Sequence, residues 1–290
     1  MSKISRFAVP FAAAGIAALT GLALTAPASA AAEPASYQAT LAAVPLNTPD
    51  GAASGTVMLT LDGDQATVTE TVTGLADKLP TDTKTLAALG IPAGFAGAPF
   101  PHVNHIHIAG QGTCPTASAD ANGDGVISTV EGHDAYGMIG TTFSTKGATD
   151  TSTATDVTVA PGGGSFTYKR TFTMNADTIA SIKAGTAVVV VHGLNPATAP
   201  KASLSTPNSL NVTLPGADKK LALIGTAPAL CGPLQASQMS AMPSGGANTG
   251  GGSMAASDGN TMEYALGGLA LVAAAGAGAV ALRRRRTSEN

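Results

Sequence analysis

GTVMLTLDGDQATVTETV, residues 55–72, decides the fold. Apolar and polar residues alternate through 55–61 and again through 66–72, a period of two that places every second side chain on one face of a strand. Asp62-Gly63-Asp64-Gln65 between the two runs is hairpin chemistry. The same alternation returns at residues 165–173, which hold three threonines, and at 209–214. Residues 187–191 (AVVVV) form an unbroken apolar run, the mark of a strand buried on both faces. One short helix is predicted over residues 175–183, with Asn175 as its cap, Ile179 and Ile182 on one face and Gly185 at its end. Short strands separated by Gly, Pro and Asp turns make an all-β fold, an antiparallel Greek-key β-sandwich or barrel.

The ends of the chain belong to something other than this fold. Lys3 and Arg6, an apolar run over 7–24 and Ala28-Ser29-Ala30 compose a signal peptide, residues 1–30. Pro10, Gly15 and Gly21 interrupt that run and argue against a retained membrane helix. Residues 265–282 carry no charge and would span roughly 27 Å as a helix. Arg283 to Arg286 follow and place the tail, 283–290, in the cytoplasm. A sortase anchor would need an LPxTG-like signal just upstream, and LPGAD at Leu214 is neither that motif nor near enough. Gly, Ser, Ala and Asn dominate 236–264, a flexible linker that cannot bury a core. The expected protein is therefore exported and held in the cell membrane by one C-terminal helix, with residues 31–235 as an extracellular domain.

Charge narrows its partners. Residues 31–262 hold nine Lys and Arg against sixteen Asp and Glu, a net charge of −7, and a single arginine, Arg170. No nucleic-acid interface is built from that balance. A cell-surface or matrix protein is the macromolecular partner that suits an anchored ectodomain. Cys114 and Cys231 are bound for an oxidising compartment, where pairing is the default and free thiol ligands the alternative.

Two metal-binding patterns lie between Phe100 and Glu131. His105-Ile-His107 reads as a strand with both imidazoles on one face, and His192 closes the apolar run. Histidines in a strand core need a common explanation: neutral imidazoles that bind copper or zinc, or structural residues bonded to backbone. The second pattern, DANGDGVISTVE (120–131), matches the twelve-residue calcium loop of the EF-hand. Asp120, Asn122 and Asp124 occupy positions 1, 3 and 5, and Gly125 makes the turn. Val126 offers its carbonyl, Ser128 takes position 9, and Glu131 is the bidentate ligand at 12. Residues 112–119 (GTCPTASA) are not helical, so the pattern predicts a lone calcium loop rather than a paired sensor, with an Asp/Gly-rich surface turn as the alternative.

The layout of Val72-Thr-Gly-Leu75, His105-Ile-His107 and residues 188–192 resembles the CHRD domain, a secreted β-sandwich module, over about residues 55–196. The glycine-rich ending of that family is replaced by Asn195-Pro-Ala-Thr-Ala-Pro200. The same layout is similar to copper/zinc superoxide dismutase. That resemblance implies His105, His107 and His192 as copper ligands, His133 as a fourth, and a bridge between Cys114 and Cys231. It departs in lacking the histidines of a zinc site and, at Pro228-Ala-Leu, the arginine that guides the anion. With the anchor and metal patterns read above, the first resemblance implies a membrane-tethered, metal-binding surface module and the second, as the alternative, a copper-only dismutase. No hydrolytic triad or phosphate loop is present: the glycines at 162–164 precede a strand, not a helix.

Overall fold

The computed structural model describes residues 33–48 and 53–237. The segments expected to be a signal peptide, a membrane helix and a basic tail, and all but the first two residues of the expected linker, lie outside the described residues. Among the described residues no helix is long and apolar enough to cross a membrane.

Nine strands form one curled antiparallel sheet. In chain order they are β1 (Ala35–Ala43), β2 (Ser54–Asp62), β3 (Gln65–Thr73), β4 (Asn104–Ala109), β5 (Gly137–Thr142), β6 (Phe166–Thr173), β7 (Val188–His192), β8 (Pro228–Pro233) and β9 (Gln235–Ala236). The spatial order is β5-β4-β7-β8-β1-β2-β3-β6, with β9 paired to β1. Helices occupy the connections: α1 (Thr83–Leu89), α2 (Thr129–Tyr136), α3 (Ala176–Lys183) and α4 (Lys201–Ser205). β9 and the bond from Ser237 N to Ser36 O carry the fold two residues past 235.

The hairpin that the alternation predicts is present. Asp62 faces Gln65 across a two-residue turn, and Gly63 supplies the positive φ, 61°, that the turn demands. Val57, Leu59 and Leu61 of β2 point into the core while Met58 stays exposed, so the pattern becomes burial residue by residue. α3 starts where expected, the Asn175 side chain accepting from Thr178 N. Residues 209–214 do not form the expected strand. Asn208 Oδ1 accepts from Leu210 N and Val212 N, its Nδ2 donates to Val212 O and Leu221 O, and Asn211 turns to φ 60°. A side chain has taken over the bonds that a strand ladder would have made.

β7 is buried along its whole length and separates two apolar layers. Val189 and Val191 face the barrel interior with Ile106, Leu59 and Leu230. Val188 and Val190 face outward and pack with Ile127, Tyr136, Val44 and Cys231. The outer layer is fixed covalently by a disulfide between Cys114 and Cys231, which lie 117 residues apart. A closure of that length is worth about 4–5 kcal/mol in the chain-entropy account.

The ends of the sheet, β5 and β6, are not paired with each other. Side chains close this seam. Phe143 stacks on Tyr168 with ring centres 5.3 Å apart. The Arg170 guanidinium donates to Ser144 O at 2.7 Å, to Ser144 Oγ and to Gly147 O. Asn104 Nδ2 donates to Glu70 Oε2 at 2.9 Å across the interior. Glu70 occupies an inward position of β3 that the alternation assigns to an apolar residue. Burial pushes its carboxyl up to about 8, so it is protonated at neutral pH.

The folded state therefore holds a proton at Glu70 that the unfolded chain releases above the ordinary carboxylate range, and stability falls as pH rises toward 8. Melting temperatures of wild type and Glu70→Gln, measured from about pH 5 to about pH 9, test this. The wild type should lose ground to the variant up to about pH 8 and level off beyond it; a pH-independent difference would refute the assignment.

Candidate metal centre

β4 and β7 are antiparallel neighbours in which His105 faces Val190 and His107 faces Val188. Their outward side chains share one face, and His192, two residues beyond Val190, falls beside them. The rings lie close together: centres are 5.2 Å apart for His105 and His192, 5.6 Å for His105 and His107, and 5.8 Å for His107 and His192. One ligand nitrogen from each ring lies within 4.8 Å of the other two. All three residues are 3 % exposed or less.

Each imidazole is oriented by a backbone carbonyl. His105 Nε2 donates to Ala154 O at 2.9 Å, His107 Nδ1 to Gly137 O at 2.8 Å and His192 Nδ1 to Thr226 O at 2.6 Å. A carbonyl only accepts, so each bonded nitrogen carries the proton and the other keeps a bare lone pair. The free nitrogens are His105 Nδ1, His107 Nε2 and His192 Nε2, and each is buried with no partner. Burial holds His105 well below the ordinary imidazole value, with the charges of His192 and His107 adding to the effect. It lowers His107 to about 3 and His192 to about 4. The trio is neutral at physiological pH, the form in which imidazole binds metal.

Three converging, unprotonated and unpartnered nitrogens are a costly arrangement for a core without a cation, since each bare acceptor has given up its water. A neutral N₃ set with carbonyl-oriented rings fits copper or zinc, and the carbonyls are the outer partners that fix tautomer and aim.

His133, the candidate fourth ligand, is exposed on α2 and is not part of this group; its charge is close enough to depress His107 further. His102 is buried but serves the backbone. Its ring nitrogens lie 3.0 Å from His192 O and 3.0 Å from Ala76 O, beneath Phe100.

The acidic loop, 120–131, folds around its own backbone. Asp120 accepts from Gly123, Asp124 and Gly125 N, Asn122 from Asp124 N, and Asp124 from Val126 N. Glu131 and Ser128 form a capping box that starts α2. A helix thus leaves the loop, while only a single 3₁₀ turn, Ala117–Ala119, precedes it. Among the described residues, the histidine trio is the one group of three His, Cys, Asp or Glu whose ligand atoms approach within 4.8 Å. The loop carboxylates do not.

Sequence reasoning missed the residues that orient the rings. Tyr136 packs edge-on against His107, centres 4.6 Å apart, and Gly137 provides the accepting carbonyl. Gly137 has φ 87°, and a Cβ there would lie 2.0 Å from Ile108 O. A glycine at the end of α2 was the only available signal.

No family model matches this chain, and no curated protein matches it.

Gly137→Ala combines a disfavoured φ with a backbone clash and should cost at least about 2 kcal/mol. Chemical denaturation measures it; a loss under about 0.5 kcal/mol would contradict the close packing described.

Proposed function

We propose that this chain is an exported, membrane-tethered β-barrel module that binds copper through His105, His107 and His192 and handles that metal at the cell surface. The observation that carries the reading is the set of three buried ring nitrogens left without hydrogen or partner. The oxidised cysteine pair agrees with export. Copper held by imidazoles supplies one-electron chemistry when bound. The chain's own part is to keep the rings neutral, hold each tautomer with a carbonyl and exclude water.

The same reading assigns calcium to the loop of Asp120, Asn122, Asp124, Val126, Ser128 and Glu131. Its support is the ligand spacing and the helix that begins at position 10. The CHRD-like layout supports a binding role at the surface, with a cell-surface or matrix protein as the macromolecular partner.

Superoxide dismutation is the second reading. In its favour, three nitrogens satisfy Cu(I) but fall short of the four or more ligands Cu(II) takes, so a metal cycling between the two states would have use for a further small ligand. Against it stands the anion's approach: the domain is acidic, and Arg170 is committed to Ser144 and Gly147.

Metal analysis of the full chain, exported into an oxidising compartment in copper-supplemented medium, tests the main reading. About one copper per chain, lost in His105→Ala/His107→Ala, is expected. Copper that survives the double substitution, or no copper at all, would sink it. Superoxide consumption by the loaded chain, absent from the same variant, would promote the second reading. For the loop, calcium should raise the melting temperature of wild type and leave Glu131→Ala unmoved; equal calcium responses would remove calcium from the proposal.

A further inference from the structure

Helix α2 touches the metal centre at both ends, and its first residue forms the junction. Thr129 is buried, and its Oγ1 donates to Thr226 O at 2.6 Å. That oxygen is the same acceptor that holds His192 Nδ1 at 2.6 Å. A carbonyl has two lone pairs, and here both are taken: one by the ring, one by the hydroxyl. At the other end of α2, Tyr136 lies against His107 and its hydroxyl returns along the helix to donate to Thr129 O at 2.8 Å. Gly132 permits that return, since a Cβ there would sit 2.5 Å from the Tyr136 ring. Gly137, the next residue, accepts from His107. Two histidines from two strands are therefore tied to one another through Thr129, over 7 residues of helix on one side and 97 residues of chain on the other.

We propose that Thr129 is a positioning residue for the metal centre, acting on His192 through the carbonyl of Thr226. The inference rests on reading the trio as a copper site. Thr226 stands at the end of a short 3₁₀ turn, Leu223–Gly225, ahead of β8, so no strand ladder fixes the direction of its carbonyl. The Thr129 hydroxyl pins it. With the carbonyl fixed, the Nδ1–H tautomer of His192 is the bonded one and the Nε2 lone pair faces the trio. With the hydroxyl gone, ring and carbonyl turn together, and the lone pair loses its aim. A helix-start threonine needs no such bond: the Ser128 side chain already caps α2 by accepting from Glu131 N.

The test uses the full chain. Thr129→Val removes the hydroxyl and keeps the volume, while Thr129→Ser keeps the hydroxyl. Copper(II) affinity is read by chelator competition, site geometry by electron paramagnetic resonance, and the His192 tautomer by ¹⁵N shifts of the metal-free chain. Thr129→Val should weaken copper binding about tenfold to a hundredfold, the usual effect of losing an outer partner. It should also change the copper spectrum and populate the Nε2–H tautomer of His192. Thr129→Ser should restore all three. Wild-type affinity, spectrum and tautomer in Thr129→Val would overturn the proposal. Should that variant not fold, Thr129→Ala decides, because it removes the same hydroxyl from Thr226 O without placing a branched apolar side chain against that carbonyl. A shifted spectrum supports the proposal and an unchanged one overturns it. His192→Ala separates the two levels. If wild type binds copper, His192→Ala does not, and the Thr129 variants match wild type, the metal reading stands and the positioning role falls.

Discussion

Five consecutive buried residues, Val188–His192, can be accommodated only where both faces of a strand are covered. The barrel interior covers one face of β7, and the other needs a second layer that the sheet cannot provide for itself. That layer is assembled from the segment between β4 and β5 and from Val44, just past the end of β1. It is stapled at Cys114 to Cys231 and sealed by Ile127 and Tyr136. The histidines lie on the covered face, so the packing that hides Val188 and Val190 also strips water from three imidazoles.

Desolvation and orientation then act together. Burial keeps the rings neutral, and carbonyls from three separate segments, Ala154, Gly137 and Thr226, decide which nitrogen of each stays bare. The metal-free fold bears the cost of those bare acceptors, and on the proposed reading a bound cation repays it, as metal affinity in small sites is commonly folding energy too.

The sheet was legible where local pattern and tertiary role agree. The alternation at 55–72 gave the right hairpin and faces, and the unbroken valine run gave a strand with no solvent side. The pair His105 and His107 could be read from a spacing of two, but His192 joins them through a register, His105 opposite Val190, that no local pattern encodes. The orienting carbonyls were illegible in principle, because every residue carries one. β1 escaped notice because alanine fills Ala35, Ala39, Ala42 and Ala43 and signals a strand weakly. Residues 209–214 misled in the opposite sense: their alternation was sound, but Asn208 offered the backbone a nearer partner.

The seam between β5 and β6 has no ladder, and the polar residues that point inward, Glu70, Asn104, Tyr168 and Arg170, gather near it. A ladder gives way cooperatively, whereas a guanidinium and a stacked ring pair can part and rejoin alone. Breathing of the barrel should begin along this line. Amide protons of β6 would then exchange with solvent before those of β7, so the molecule loosens at the seam while the wall that carries the histidines stays shut.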